Sequence, residues 1–331
     1  MLDNVAMLIG SMLVVFIAAL LFVNAIEYFG CRFKWGGSFV SATLAPLFTS
    51  LPEMIVFLVA VFGYGGISGE EIGVGTIFGQ PFMASSLSYG LVGVVVLVGY
   101  KLRTRGDTVL EVSKNLVIPY AFISLLFPAT IIPAIFRSDF VRYAFSMIFL
   151  CSYFVYIILM YRSRRAEVIE DAEEPYICKF IRHPVVGGAI QLLAAVVLLY
   201  YSSSQMVASV DGLAKGTGIS PLGLAIILIP AATAIPETTN ALIWGYRGKD
   251  TMSIGSLVGE KILYATFYPG LGLLLTTWIL DVYAYLSVVA CVVVSLVLLY
   301  YILKQRVPWY GLLIGLIFFI GYVALIFVPP F

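Results

Sequence analysis

The sequence contains little charge, because Asp, Glu, Lys and Arg make up only 11% of its 331 residues, whereas soluble domains have about 25%. Hydrophobic residues account for 61% and the mean hydropathy is +1.04. This composition predicts a polytopic protein of the lipid bilayer and excludes a large water-soluble module. The formal net charge of +1 also excludes a nucleic-acid partner, which requires a basic surface.

Histidine and cysteine are scarce, which excludes the usual soft-metal sites. The sequence has one histidine, His183, and four cysteines without a C-x-x-C pair: Cys31, Cys151, Cys178 and Cys291. Such a set lacks the ligand spacing of a zinc site or a redox motif. We therefore expect free thiols and no resident cofactor.

Long apolar runs bounded by charge, glycine or proline predict ten transmembrane helices and an all-α fold, since a span needs about 20 apolar residues. The first run is long enough to cross the bilayer and lacks a basic leader region, so it is predicted to be a span. The predicted spans are residues 5–29, 36–63, 72–100, 115–136, 140–161, 185–210, 219–245, 253–275, 282–303 and 308–328.

The distribution of basic residues predicts the orientation of these spans. Fifteen of the 19 Lys and Arg residues fall in connections on one side, three fall on the other, and Lys261 lies inside a span. The positive-inside tendency makes the first side cytoplasmic. Both termini are then outside, and the mixed-charge linker 162–184 is cytoplasmic. We expect an integral protein of a prokaryotic plasma membrane.

An internal repeat divides the chain into two halves. Glu53 and Glu237 lie within similar segments at an offset of 184, and Gln80 and Glu260 lie in a second pair of similar segments at an offset of 180. Each half has five predicted spans, an odd number, so the two copies have inverted topology. The predicted organisation is a five-span repeat at 1–161, the linker, and a second five-span repeat at 185–331.

The repeated segment places a carboxylate within an apolar span in each half, where a charge is costly unless it is paired or solvated. Thr49 precedes Glu53 by four residues, and Thr233 precedes Glu237 by four. Residues four apart share a helix face. The sequence therefore predicts that each threonine hydroxyl lies beside the carboxylate of its own half.

A proline precedes each glutamate and frees a backbone oxygen. Pro52 cannot donate to the carbonyl of Phe48, and Pro236 cannot donate to that of Ala232. Carboxylate, hydroxyl and carbonyl oxygens suit a hard cation such as Ca²⁺ or Na⁺. The alternative is that the prolines only kink helices and the glutamates satisfy neighbouring polar groups, which the duplication disfavours.

The second pair of segments contains Gly75-x-x-x-Gly79 and Gly255-x-x-x-Gly259, which predict close helix packing. This packing would bring Gln80 and Glu260 towards the glutamate helices. Lys261 has two interpretations. It either faces the same cavity, giving three carboxylates and one ammonium with a net charge of −2, or binds a carbonyl or Glu260 without contacting the transported ion.

Two further carboxylates, Glu27 and Asp211, keep the offset of 184 near the ends of spans 1 and 6. A carboxylate at a span end reaches water at little cost. We interpret them as vestibule or gate residues, the alternative being ordinary span-end anchors.

The sequences T-S-L-P-E and T-A-I-P-E resemble the G-T-S-x-P-E core of the α-repeats of sodium/calcium exchangers, within the calcium/cation antiporter superfamily. The resemblance covers about residues 20–90 and 204–275. It implies alternating-access exchange of Ca²⁺ for Na⁺ or H⁺. By position, Glu53 and Glu237 would be the principal Ca²⁺ ligands, and Thr49, Ser50 and Thr233 would assist coordination of Na⁺ or Ca²⁺.

The sequence departs from the family pattern at positions that bear on the identity of the coupling ion. The signature G-S-N-x-x-N or G-S-N-x-x-D appears here as G-Q-P-F-M-A at 79–84 and G-E-K-I-L-Y at 259–264, and Ala234 replaces a hydroxyl at the position equivalent to Ser50. Exchange of Ca²⁺ for Na⁺ is the leading interpretation. A proton-coupled antiporter that has lost its Na⁺ sites is the alternative.

Two other classes of protein are disfavoured. An intramembrane enzyme would need a nucleophile or a third catalytic group, and neither accompanies the glutamates. A passive channel would not support gradient-driven counterflow. Inorganic cations are the expected substrates, and the layout is compatible with a monomer.

Overall fold

The chain is built almost entirely from helices in the computed structural model, which describes residues 2–32, 50–162, 174–179, 181 and 183–327. The first half contains α1 (Leu2–Arg32), α2 (Leu51–Leu58) with a π-helical turn (Val59–Tyr64), α3 (Gly66–Met83) with a second π-helical turn (Ala84–Ser88), α4 (Tyr89–Lys101), β1 (Val109–Glu111), a 3₁₀ turn (Lys114–Leu116), α5 (Val117–Ala129), α6 (Ile131–Phe136) and α7 (Asp139–Arg162).

The second half begins after a 3₁₀ turn (Tyr176–Lys179). It contains α8 (Pro184–Thr217), α9 (Pro221–Thr233), α10 (Ile235–Tyr246), α11 (Asp250–Ala265), α12 (Phe267–Leu275), α13 (Val282–Leu303), β2 (Arg306–Pro308), α14 (Trp309–Leu312) and α15 (Ile314–Phe327).

The helices agree with most of the predicted spans. Within the described residues, seven helical segments are long and apolar enough to cross a bilayer, at Asp3–Gly30, Gly66–Lys101, Lys114–Phe136, Asp139–Leu159, Pro184–Thr217, Val282–Leu303 and Trp309–Phe327. They correspond to predicted spans 1, 3, 4, 5, 6, 9 and 10. An eighth is a bent pair, Pro221–Thr233 and Glu237–Tyr246. The full count of ten stays a prediction, because span 2 is described only from residue 50 onward and span 8 is divided between the shorter helices α11 and α12.

Two of the predicted spans are broken helices. The segment containing α9 and α10 bends by 63°, with Pro236 in the first turn of α10. The segment containing α11 and α12 breaks at Thr266, whose φ of −136° and ψ of −80° are not helical. Pro269 cannot donate to the carbonyl of Ala265, which weakens the helix at this point.

The prediction of a purely helical fold was wrong in one detail, a two-stranded ribbon. Strands β1 and β2 pair antiparallel, with Leu110 opposite Val307. Both strands lie in short connections between long helices, where backbone groups have no helical partner and bond to each other instead.

Contacts between connections fit the predicted alternation of sides. On the side predicted to be cytoplasmic, the ribbon joins the two halves and Arg105 forms an ion pair with Asp250 at 3.2 Å. On the other side, Glu70 accepts a hydrogen bond of 2.8 Å from the backbone N–H of Thr277. Connections assigned to the same side therefore meet each other across the two halves.

Glycines allow helices from the two halves to pack closely. A Cβ at Gly75 would lie 2.6 Å from the Cβ of Ala225, and one at Gly79 would lie 2.7 Å from the carbonyl oxygen of Ile226. The predicted close packing is thus present between α3 and α9. At Gly259 no described atom lies within 4 Å, and the prediction for this second motif stays open.

We predict that Gly79→Ala lowers the thermal stability of the purified protein. The added methyl group would also lie 2.6 Å from Cγ of Pro230, and overpacking of this kind costs about 1–3 kcal/mol. Thermal unfolding in detergent measures the effect. Gly321→Ala is the control, since a Cβ there meets nothing within 4 Å. Equal stability of the two variants would contradict close packing at Gly79.

Candidate cation site

Three buried carboxyl groups from different helices form the centre of the site. Glu53 lies in the first turn of α2 and Glu237 in the first turn of α10, while Glu260 lies in α11. Glu53 is only 3% exposed and Glu260 only 7%. The first turn of a helix has unpaired N–H groups and a partial positive charge, which favour a carboxylate. The starts of α2 and α10 therefore place two of the acids where their charge is best tolerated.

The three acids lie close together. The carboxyl groups of Glu237 and Glu260 lie within reach of each other, and the charge of Glu53 interacts with both of them. Carboxylates this close repel each other unless one is protonated or a cation lies between them. The arrangement therefore favours a proton or a cation among the three acids.

Gln80 completes this centre from α3. Its Nε2 donates a hydrogen bond of 3.0 Å to Oε2 of Glu260. Gln80 and Glu260 are equivalent positions of the internal repeat, as are Glu53 and Glu237. This hydrogen bond therefore connects the two halves at equivalent positions of the sequence repeat.

The position of Thr233 differs from the prediction. Its hydroxyl interacts with the carboxyl group of Glu53, in the opposite half, and donates a hydrogen bond of 3.4 Å to the carbonyl of Ile229. The expected pairing with Glu237 assumed a continuous helix. Ala234 separates α9, which carries Thr233, from α10, which carries Glu237, so a spacing of four residues no longer places the two side chains on one helix face.

The remaining predicted oxygens are only partly described. Ala232 is buried at the end of α9, and Pro236 provides no N–H for its carbonyl. Ser50 is buried immediately before α2. Phe48 and Thr49 lie outside the described residues, so their predicted roles stay predictions.

Two tyrosines at the site were missed by the sequence analysis. Tyr264 and Tyr268 stack with ring centroids 4.4 Å apart and an interplanar angle of 18°. The Tyr264 hydroxyl lies near enough to the three acids to interact with their charge. The hydroxyl of Tyr268 donates to Ser50. Tyr264 occupies the last position of the altered signature in the second half. This departure from the family pattern was the sequence feature that could have indicated a tyrosine at the site.

Several oxygens at the centre have no hydrogen-bond partner among the described residues: Oε2 of Glu53, Oε2 of Glu237, Oε1 of Gln80 and the hydroxyl of Tyr264. Buried polar atoms without partners are costly and rare. Oxygen atoms of this kind are the ligands that hard cations prefer. The described part of the chain contains no group of three His, Cys, Asp or Glu placed to hold one metal ion, so neutral oxygens would have to complete the coordination.

Lys261 does not face the acids. Its Nζ donates to Oγ of Ser295 at 3.1 Å and lies over the rings of Tyr89 and Tyr120, at 5.2 and 5.7 Å from their centroids. Adjacent helical residues point about 100° apart, and Glu260 takes the direction of the site. The cluster with a net charge of −2 is therefore wrong, and so is a pairing of Lys261 with Glu260.

Asp211 is buried instead of facing water at a span end. Its Oδ2 accepts hydrogen bonds of 2.6 Å from the hydroxyl of Tyr64 and from Nζ of Lys215. The hydrogen bond from Tyr64 joins the π-helical turn Val59–Tyr64 to α8. Glu27 is half-buried in α1. The gate interpretation of these two residues stays a prediction.

Comparison with known proteins supplies an independent view of the chain. A family model described as Sodium/calcium exchanger protein matches residues 4–162 and 187–328. The putative antiporter CaxA of Alkalimonas amylolytica is 22% identical over 313 residues, covering 89% of this chain and 93% of the relative. The inner membrane protein YrbG of Escherichia coli K12 is 22% identical over 290 residues, covering 86% and 83%.

Solved structures share the fold at low identity. The crystal structure of the H⁺/Ca²⁺ exchanger CAX matches with a TM-score of 0.72 and 18% identity, covering 99% of this chain and 82% of that one. The sodium-calcium exchanger NCX_Mj matches with a TM-score of 0.57 and 17% identity, covering 97% and 98%. Both folds extend over nearly the whole of this chain.

We predict that Lys261→Met leaves cation binding at the acids almost unchanged. Methionine has a similar length and suits the apolar rings around Nζ, and the amine contacts none of the three acids. Stabilisation by Ca²⁺ in a thermal unfolding assay should change by less than about twofold in half-maximal Ca²⁺ concentration, or about 0.4 kcal/mol.

Glu260→Gln is the comparison, and it should raise the half-maximal Ca²⁺ concentration by at least about tenfold. A loss in Lys261→Met as large as that in Glu260→Gln would contradict the separation of Lys261 from the site.

Proposed function

Because the chain belongs to the sodium/calcium exchanger protein family, we propose that it is an antiporter that exchanges Ca²⁺ for a coupling cation by alternating access. The observation that supports this most directly is the meeting of buried acids from both halves, Glu53 from the first and Glu237 and Glu260 from the second. A site between two halves can open to one side when the halves are in one arrangement and to the other when they exchange roles.

Competition at the acids would couple the two fluxes. Ca²⁺ requires ionised carboxylates, and a proton or a monovalent cation that neutralises them displaces it. In the absence of any cation the charges would remain buried and uncompensated, which disfavours the conformational switch. Exchange then follows, because the transporter changes face only when one of the competing cations is bound.

The helices α1 and α8 are the proposed moving elements. They pack chiefly on each other and occupy equivalent positions in the two predicted repeats. At one end they are joined by amides, since Nε2 of Gln191 donates to Oδ1 of Asn24 at 2.8 Å. A pair held in this way moves as one body along the helices that carry the acids.

The coupling cation has two candidates. The family resemblance favours Na⁺. The donors at the site favour H⁺, because the Gln80 amide and the Tyr268 hydroxyl donate hydrogen bonds to site oxygens that a Na⁺ ion would otherwise coordinate. A proton also needs fewer oxygen ligands than Na⁺, which suits a site in which the family signature is altered.

We predict that Glu53→Gln and Glu237→Gln each reduce Ca²⁺ transport by at least about tenfold, equivalent to about 1.4 kcal/mol. Each change removes one negative charge and one strong oxygen ligand from the site. Uptake of radiolabelled calcium into proteoliposomes measures the effect. Glu111→Gln is the matched control, since this carboxylate is exposed on β1. Normal uptake by both site variants would refute the proposal.

The wild-type protein distinguishes the coupling ions. We expect proteoliposomes with an imposed pH gradient, and no sodium on either side, to accumulate calcium, as required if H⁺ is the coupling ion. Uptake driven only by an outward sodium gradient would instead identify Na⁺. Calcium entry that merely follows its own gradient, without response to either ion, would indicate a channel and contradict exchange.

A further inference from the structure

We propose that Tyr268 excludes Na⁺ from the cation site, because its hydroxyl fills the position between two oxygens of Ser50 that a monovalent cation would take. This inference rests on the proposed function, and it assigns a specificity-determining role to a residue outside the acids. It also explains why a chain with the fold of a sodium/calcium exchanger would not depend on sodium.

The Tyr268 hydroxyl contacts two oxygens of one residue. It lies 2.6 Å from the carbonyl oxygen of Ser50 and 2.9 Å from its Oγ. Ser50 is completely buried and Tyr268 is 1% exposed, so water does not compete for these atoms. The Ser50 carbonyl also accepts a hydrogen bond from the backbone N–H of Met54 at 3.2 Å.

A carbonyl oxygen and a hydroxyl oxygen that converge on one point form part of a cation site, since hard cations bind such oxygens. In this protein a phenolic hydroxyl stands at that point. It satisfies both oxygens without an ion, and buried oxygens gain little from replacing good hydrogen bonds by a cation that must first be dehydrated. Na⁺ therefore has no vacant position at Ser50.

Packing holds the tyrosine ring in place. One face stacks on Tyr264, and the edge of Phe267 contacts it at a centroid distance of 5.9 Å. A ring enclosed in this way cannot swing out to admit an ion without disturbing the buried core. The packing of the fold therefore keeps the Tyr268 hydroxyl at the Ser50 oxygens.

The second half has no equivalent oxygen pair. Ala234 stands at the position equivalent to Ser50 and has no hydroxyl. Ser88, equivalent to Tyr268 at the offset of 180, instead forms a hydrogen bond of 2.7 Å with Thr238. Among the described residues, the oxygen pair at Ser50 is thus present in one half only, and in that half a tyrosine covers it.

The test is Tyr268→Phe, which removes the hydroxyl and keeps the stacked ring. The change takes the phenolic hydroxyl away from the two Ser50 oxygens and leaves a space of about one water molecule, which is enough for a Na⁺ ion. Because a ligand that binds the folded state raises its stability, thermal unfolding in detergent is measured against NaCl, with choline chloride keeping the ionic strength constant.

We expect Na⁺ to stabilise Tyr268→Phe at a concentration at least about tenfold lower than any effect on the wild type. Adding Ser50→Ala to Tyr268→Phe should abolish the gain, because one of the two oxygens is lost. Tyr322→Phe is the matched control. It removes another buried tyrosine hydroxyl, which donates to the carbonyl of Gly223 at 3.3 Å, and it should produce no response to Na⁺.

Two results would overturn the role of Tyr268 while leaving Ca²⁺ exchange intact. One is equal stabilisation of wild type and Tyr268→Phe by Na⁺, and the other is a folded variant that binds Ca²⁺ and ignores Na⁺. If the variant does not fold, the wild-type protein provides the test. Proteoliposomes loaded with calcium are placed in radiolabelled sodium, and sodium uptake driven by the outward calcium gradient would overturn the inference. Failure of the wild type to bind or transport Ca²⁺ would refute the proposed function itself.

Discussion

The burial of carboxyl groups among apolar helices is the constraint on which the rest of the site depends. An ionised carboxylate in such a place costs at least a few kcal/mol unless nearby groups stabilise it. Glu53 and Glu237 each lie in the first turn of a helix, where free N–H groups reduce that cost. The start of a helix at each of these acids therefore lowers the cost of burial, since the centre of a continuous helix has no free N–H groups.

Close packing between the halves brings these acids together. Gly75 and Gly79 let α3 approach the backbone of α9, and this contact fixes Gln80 near the acids of the second half. Several polar contacts at the centre cross between the halves, such as those of Gln80 with Glu260 and of Tyr268 with Ser50. A change in the relative position of the halves would alter these contacts together, as the proposed alternating access would require.

The two halves differ where the family signature is altered, and each difference has a distinct result. Tyr264 and Tyr268 add a stacked pair beside the acids, whereas the equivalent positions in the first half are Ala84 and Ser88. Lys261 points into another buried pocket, where Ser295 and two tyrosine rings surround its amine. Contacts with ring faces partly offset the burial of an ammonium group. The altered residues thus change the shape and donors of the site without adding a positive charge to it.

The sequence by itself determined the membrane class and most of the helices, and it pointed to the acids that the structure brings together, because apolar length, charge and duplicated motifs are local properties of the chain. Only the tertiary structure decided the partners. Helical spacing predicted that Thr233 would lie beside Glu237. The helix is interrupted at Ala234, and the Thr233 hydroxyl interacts with Glu53 instead. Spacing also could not reveal that Tyr268 reaches Ser50, which is 218 residues away. Partners between halves depend on how helices bend and pack, and these properties arise from the whole chain.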